Sequence, residues 1–241
     1  MNVQAIIREP GTALLHVAPC LRSDARVAAL NWHYSRSLPS VAFTYGVWEE
    51  GRFVGAVAFS AGSRNIGRPY GLRGDEVADL CRVALAPGHQ SPTSRVVAVA
   101  VRLFSRSRPA LRLLVSYADP EQGHHGGIYA AMGWTYVGFQ KSSGVVAWFI
   151  GGKRMHCRAV YDRFGTRGSA GVLSACSDAT PIRGVRKHKY VLGLDDETRS
   201  RVRQLAQPYP KRATSIGSDA PATQAGEGGA IPTVALSGGI A

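Results

Sequence analysis

Ser116-Tyr117-Ala118-Asp119-Pro120-Glu121-Gln122-Gly123-His124-His125-Gly126-Gly127-Ile128-Tyr129-Ala130-Ala131-Met132-Gly133-Trp134 gathers ionisable side chains where an apolar strand runs into a helix. In open α/β sheets, that junction is where the chemistry sits. Upstream, Leu111 to Val115 is an apolar run with one charge, short enough to be a strand, and Asp119-Pro120 breaks it. A helix is expected next. Gly133 suits its end, and Trp134 to Phe139 restarts an aromatic, β-branched run that reads as the following strand. Four apart on a helix, His125 and Tyr129 share one face, which carries an imidazole and a phenol into a cleft beside Asp119.

Working outward, Ala13 to Val17 reads as a first strand, and Ser23-Asp24 as the cap of a helix through Asn31. The loop Asn31 to Ser40 is dense in aromatic and hydrogen-bonding side chains, unusual for a mere connector. Phe43 to Trp48 and Phe53 to Phe59 flank Glu49-Glu50-Gly51-Arg52 as a β-hairpin. Ala61 to Gly74 is a Gly- and Arg-rich loop, and Val77 to Leu85 is a strand interrupted by Arg82. Ser91 then reads as N-cap, with Pro92 at the first helical position, of an amphipathic helix through Val96 to Phe104. The amides at its start form an anion site to which Gly88, Ser91, Thr93, Ser94 and Arg95 contribute. Val145 to Ile150 is a last strand, and Asp195 to Leu205 a short helix. A hairpin inside a mixed α/β order argues against a doubly wound parallel sheet.

The 241 residues are 45% apolar, enough for a real core. No run approaches the roughly 20 apolar residues of a membrane span. Arg8, Glu9 and Pro10 stand where a signal peptide needs its apolar segment, so a cytoplasmic location is expected. Cys20, Cys81, Cys157 and Cys176 form no C-x-x-C pair, which points away from a disulfide framework or a zinc knuckle. The net charge of +13 is uneven: residues 1–140 carry +5, residues 141–212 carry +10, and residues 213–241 carry −2. Such a concentration of one sign is the footprint of a polyanion-binding surface, although a merely soluble basic face has the same composition. Residues 1–152 are therefore expected to form the catalytic core, 153–212 a basic C-terminal extension, and 213–241 a disordered tail.

The element order, with a capped phosphate-type turn after the fourth strand and Ile128-Tyr129 then Gly133-Trp134 closing a later helix, resembles the GNAT acyltransferase superfamily. More specifically, Asn31 to Ser40, Asp79-Leu80-Cys81-Arg82-Val83-Ala84-Leu85, Ser116 to Trp134 and Tyr209-Pro210-Lys211-Arg212 resemble the phage Mom family of DNA-modifying proteins. The resemblance implies an α/β fold of α+β type: a GNAT-like mixed, mostly antiparallel central sheet flanked by helices, with strands 4 and 5 splayed around the acyl donor. It also implies an enzyme of the bacterial host's cytoplasm that converts the exocyclic amine of adenine in double-stranded DNA to a carbamoylmethyl-amine, protecting phage DNA from restriction. The usual spaced glycines of the GNAT pyrophosphate loop are reduced here to Gly88 to Arg95, so two donors stand side by side: an acetyl-CoA-like thioester and glycyl-tRNA. An ordinary GNAT acetyltransferase of a protein or small amine, and a non-catalytic DNA-binding protein on this fold, are the alternatives.

Acyl transfer to a delocalised amine needs a positioned base and stabilisation of the oxyanion. Asp119 is the first choice for orienting or deprotonating the amine, with helix N-capping as its structural alternative. Tyr129 matches the position of the GNAT phenol that protonates the leaving group, and a buried core tyrosine is the alternative. His124 and His125 suit proton or hydrogen-bond roles, and Ser116 completes the catalytic set. No spacing specifies a metal site. Leu85 joins the donor-binding group, and His33, Tyr34, Ser35 and Arg82 line the acceptor side, Arg82 either pairing with Asp79 or Asp119 or facing a phosphate. Lys153, Arg154, Arg183, Arg186, Lys187, Lys189, Lys211 and Arg212 are expected to hold DNA phosphates.

Overall fold

The computed structural model describes residues 4–8, 13–62, 64–140, 144–166 and 168–211. Arg212 and the 213–241 tail lie outside the described residues. β1 (Ala5–Ile7) and β2 (Leu15–Pro19) lead into α1 (Arg22–Trp32), which buries Ala25, Ala28 and Ala29. α1 starts with Leu21 as N-cap, earlier than Ser23-Asp24 suggested, because Asp24 is its third residue and its carboxylate accepts the Leu21 amide at 3.3 Å. β3 (Phe43–Glu49) and β4 (Arg52–Phe59) form the expected hairpin. Its two turn residues, Glu50 and Gly51, have φ of +46° and +77°, as a two-residue hairpin turn demands. α2 (Arg64–Gly67) and two 3-10 turns occupy the segment read as a loop, and β5 (Val77–Leu85) follows. Next come α3 (Thr93–Ser107), β6 (Leu113–Ala118), α4 (Gly127–Ala131) and β7 (Thr135–Phe139). After them lie β8 (Val145–Ile150), β9 (Lys153–His156), α5 (Cys157–Phe164), α6 (Ser169–Ala175) and β10 (Thr180–Arg183). β11 (His188–Gly193) and α7 (Asp196–Arg203) close the described chain.

Among the described strands, eight make one sheet in the order β1-β2-β3-β4-β5-β6-β11-β7, antiparallel except for the β5–β6 pair. Helices flank it, the mixed and mostly antiparallel arrangement expected. β5 and β6 pair only through Val77↔Leu113, Ala78↔Leu114 and Asp79↔Val115. Beyond that point β5 keeps only β4 as partner, while Ser116, Tyr117 and Ala118 keep only β11. This is the splay that the family resemblance implied for its strands 4 and 5, which are β5 and β6 here.

Two pairings differ from the sequence reading. β11 falls in the stretch taken as a basic extension, yet it inserts between β6 and β7 and buries His188, Tyr190, Val191 and Gly193, as an interior strand does. The chain beyond residue 152 therefore helps build the central sheet. β8, read as a further strand of the same series, pairs with β9 and β10 in a separate three-stranded sheet around its own core of Trp148, Ile150, Val160, Val172 and Ala179.

α3 covers one face of the main sheet, burying Val96, Val97, Ala100, Leu103 and Phe104 against Val57, Phe59, Leu80 and Leu114. The Phe59 and Phe104 rings stack with centroids 4.3 Å apart. The opposite face packs Val77, Leu113, Val115 and Val191 against Tyr70, Leu72 and Val202 of α7. Because side chains alternate along a strand, Leu80 and Ser116 point to the α3 face, and Asp79 and Tyr117 to the other. Among the described residues, no helix is long and apolar enough to cross a membrane.

Candidate functional site

Where β5 and β6 part, a cleft of about 960 Å³ opens at the splay. Leu80, Val83 and Leu85 wall it from β5, Ser116, Tyr117 and Ala118 from β6, Ile128 and Tyr129 from α4, and His33 and Tyr34 from the chain after α1. Residues from both faces of the sheet therefore meet in one space.

At the branch point, the Ser116 hydroxyl donates to the Leu80 carbonyl at 3.0 Å, replacing the ladder bond that the splay removes. Tyr129 Oη lies 2.7 Å from Ser116 Oγ. Burial, against the Ser116 hydrogen bond, holds the phenol above its ordinary value.

His125 does not share a helix face with Tyr129, because α4 begins only at Gly127 and His125 precedes it. The reason lies in the next layer. Tyr190 donates its hydroxyl to the His125 carbonyl at 2.6 Å, so the chain passes tightly over that ring. A Cβ on Gly126 would come within 2.3 Å of the ring, and Gly126 adopts φ +78°, where glycine is favoured. His124, His125 and Tyr129 nevertheless all line the cleft.

His33 Nδ1 accepts the Ser35 amide at 3.1 Å and lies 2.8 Å from Ser35 Oγ. An accepting Nδ1 leaves the proton of the neutral ring on Nε2. Burial, then the positive charges of Arg82, His124 and Lys187, pushes His33 down to about 4, so the ring is neutral at pH 7. Ser35 is not among the lining residues and meets the cleft only through its bonds to His33. Tyr34 is exposed, its ring 4.3 Å from His33 and 5.5 Å from His124. Arg82 is bonded to neither Asp79 nor Asp119. It donates to the Ser37 carbonyl at 2.9 Å and the Cys81 carbonyl at 2.8 Å, tying the loop after α1 to β5.

Asp119 is buried and absent from the lining set. Its carboxylate accepts the Glu121 amide at 3.2 Å, the capping role, and pairs with Lys187 Nζ at 2.8 Å. The base expected at Asp119 is thus off the cleft wall, and the residue that reaches the cleft is its partner Lys187. Sequence reading named a different carboxylate, Asp79, only as a possible partner of Arg82 and gave it no role in the site. Asp79 does line the cleft, and its visible signals were a charge inside the apolar run of β5 and its place at the head of the family-like run Asp79 to Leu85.

Of the residues expected to bind a donor, Leu85 and Thr93 line the cleft, whereas Gly88, Ser91, Ser94 and Arg95 do not. Pro92, not Ser91, is the N-cap of α3. The Gln90 and Ser91 amides both donate to the buried Glu49 carboxylate, at 2.8 and 2.6 Å. Although burial opposes it, these amides hold the carboxyl below its ordinary value. Ser91 Oγ is buried with no hydrogen-bond partner among the described residues. A carboxylate of the chain itself fills this turn, so a CoA pyrophosphate does not fit at those two amides.

The expected phosphate contacts divide. Lys153 and Arg154 on β9, Arg183 on β10 and Lys211 are exposed. Arg186 donates to the Gln140 carbonyl at 3.1 Å and lies over the Phe139 ring, and Gln140 lines the cleft. Lys187 is held by Asp119, and Lys189 Nζ lies 5.0 Å from the Tyr70 ring centroid. No group of three or more His, Cys, Asp or Glu among the described residues is placed to hold a metal ion.

Residues 14–211 match the model of the Mom protein family. None of the curated proteins matches. Among solved structures, the chain is similar to a ribosomal-protein-S5-alanine acetyltransferase from Vibrio fischeri, with 13% identity, TM-score 0.45, and 80% of this chain and 98% of that one covered. FeeM, an N-acyl amino acid synthase from uncultured soil microbes, shares 13% identity at TM-score 0.43 over 84% of this chain and 94% of its own. A probable GNAT-family acetyltransferase from Chromobacterium violaceum shares 14% identity at TM-score 0.41 over 78% and 86%.

Proposed function

The chain belongs to the Mom protein family, and from that premise we propose that it modifies phage DNA, converting the N6 amine of adenine to a carbamoylmethyl-amine and so shielding the DNA from restriction. The observation that supports this most is the cleft at the splay, where the Tyr129–Ser116 pair, His33 and the His124-His125 turn meet. A phenol that donates a proton, an imidazole N–H and a nearby cation are the groups that acyl transfer to a weak amine requires.

Tyr129 protonates the leaving group, its hydrogen turning from Ser116, which holds the phenol at rest, to the leaving atom. His33 presents its Nε2 proton to the developing oxyanion, with Arg82 fixing the loop that carries it. Asp119 positions Lys187. In duplex DNA the adenine amine is paired in the major groove, so the base must leave the stack to reach the cleft. Tyr34, exposed beside His33, is placed to stack on it. Lys153, Arg154, Arg183, Arg186 and Lys211 take the backbone phosphates.

Glycyl-tRNA is the donor that suits both the product and the turn filled by Glu49. Acetyl transfer would leave an N-acetyl group, and acetyl-CoA has no nitrogen to give. A glycyl ester instead acylates N6 and releases the tRNA hydroxyl. The free glycyl amine then attacks ring carbon C6, the C6–N6 bond breaks, and the methylene is left on the ring-bound nitrogen with the carboxamide outermost. Mass spectrometry of nucleosides from DNA of expressing cells tests the function. A deoxyadenosine heavier by the carbamoylmethyl group is expected, and unmodified DNA refutes it.

A further inference from the structure

We propose that Asp79 is the catalytic base, receiving the N–H of the acceptor's exocyclic amine and taking its proton; the assignment rests on the reading above that the acceptor is an amine. Among the described residues that line the cleft, Asp79 is the one carboxylate. The groups that act on it are Ser60, through a hydrogen bond, and the charge of Lys189, with Cys81 and Tyr117 beside it.

Its own bonding is incomplete. Oδ1 is buried with no hydrogen-bond partner among the described residues, and Oδ2 lies 3.4 Å from the Ser60 hydroxyl. Ser60 Oγ accepts the Asp79 amide at 2.9 Å and the Gly62 amide at 3.1 Å, so its single hydrogen is what remains for the carboxylate. A half-buried carboxylate with one buried oxygen left unbonded is costly to keep for stability alone. Burial pushes it up to about 6, against the Ser60 hydrogen bond and the charge of Lys189. The other titratable neighbours hold their protons: Tyr117 on β6 is raised to about 12 and Cys81 to about 11, each mainly by burial. Asp79 is thus ionised at pH 7 yet has a proton affinity close to the working pH, as an efficient general base requires.

Position supports the same role. Asp79 is the last residue of β5 paired with β6, on the sheet face opposite Ser116. An acyl carbon lodged in the splay has the carboxylate on one side and the Tyr129–Ser116 pair on the other. As the amine nitrogen bonds to the acyl carbon, the bond from that carbon to the leaving group breaks. The proton lost by nitrogen goes to Asp79, the proton gained by the leaving group comes from Tyr129, and both side chains re-equilibrate with solvent. An acceptor carboxylate also selects bases with an exocyclic N–H and disfavours thymine, which offers a carbonyl there.

The test compares modified deoxyadenosine in DNA from cells expressing wild type, Asp79→Asn and Asp79→Glu, with the Tm of each purified full chain. Asp79→Asn should lose modification by at least about 100-fold, with Tm unchanged or raised, while Asp79→Glu keeps a measurable part. Asp79→Asn modifying DNA within threefold of wild type would overturn the assignment but leave the adenine reading intact. Loss of activity together with a lowered Tm in Asp79→Asn also overturns it, because the carboxylate is then structural. A wild type that leaves adenine unmodified sinks the adenine reading itself, and the base assignment with it.

Discussion

Ser116 accepts the hydrogen of Tyr129 and cannot return one. Its own proton is committed to the Leu80 carbonyl at 3.0 Å, so the 2.7 Å contact between the two hydroxyls has the phenol as donor. The two partners therefore fail differently. Tyr129→Phe leaves the Ser116–Leu80 bond in place and should cost about 1 kcal/mol of stability, while modification falls by roughly 100-fold or more. Ser116→Ala strands both the buried phenol proton and the Leu80 carbonyl, at about 1–3 kcal/mol. Thermal melts should rank Ser116→Ala as the less stable variant and nucleoside analysis should rank Tyr129→Phe as the less active; the reverse order would disprove the direction of the bond.

Glu49 carries a prediction about acid. Its carboxyl is held below the ordinary value of 4.5 by the Gln90 and Ser91 amides, despite burial. A carboxyl depressed in the folded state stabilises fully above its unfolded pKa, and that stability drains away as pH falls through the folded value. Glu49→Gln should lose about 1–3 kcal/mol at pH 7 and show a flatter decline below about pH 4.5. Urea titrations at pH 7 and pH 3.5 measure both. Equal slopes for the variant and wild type would show that the carboxylate is not what holds this turn.

Much of the fold was legible because it is local. Two apolar β-forming runs around Glu49-Glu50-Gly51-Arg52 mark the β3–β4 hairpin, and the apolar run of β5 has the very bounds that its sequence suggests, Val77 to Leu85. β11 was not legible as part of the sheet, since its partners β6 and β7 lie many residues upstream and its flanks are charged, basic before it and acidic after it. Tyr190-Val191 was the available cue, two β-formers inside a charged stretch. In the site, the cluster from Ser116 to Tyr129 could be found by composition, but its geometry could not. Whether His125 joins α4 depends on Tyr190, and whether Ser91 offers its amide depends on Glu49, both distant in sequence.

His33 should behave as a neutral donor through most of the accessible pH range. Burial and the charges of Arg82, His124 and Lys187 bring it from 6.5 down to about 4. Between those two values the unfolded ring binds a proton that the folded ring refuses, so stability falls as pH drops through that window. Long-range ¹⁵N–¹H spectra at pH 7 should show a protonated Nε2 and a bare Nδ1, with a midpoint near 4 on titration. A midpoint near 6.5, or the opposite tautomer, contradicts the Ser35 bond.

Charge removal on β9 should act on affinity and leave chemistry intact. Lys153 and Arg154 are both exposed, on the small sheet rather than at the splay. Each phosphate contact contributes about 0.9 to the slope of log affinity against log salt. The double variant Lys153→Ala, Arg154→Ala should bind duplex DNA more weakly and reduce that slope by up to about 2, while saturating DNA restores modification. Unchanged binding at every salt concentration would move the DNA contact off this sheet.

The donor can be read from isotopes, because the proposed rearrangement exchanges two nitrogens. If N6 is glycylated and the glycyl amine then displaces it at C6, the nitrogen finally bonded to the ring comes from glycine and the original adenine nitrogen becomes the carboxamide. Cells fed glycine labelled with ¹³C at both carbons and with ¹⁵N should yield a modified base carrying all three labels, with ¹⁵N on the ring side of the methylene. Fragmentation that removes the carboxamide must leave the labelled nitrogen behind. Two labelled carbons with ¹⁵N in the carboxamide would keep glycine as the source but exclude the rearrangement. A product with no glycine carbon would exclude the glycyl donor, and the turn filled by Glu49 would then need another explanation.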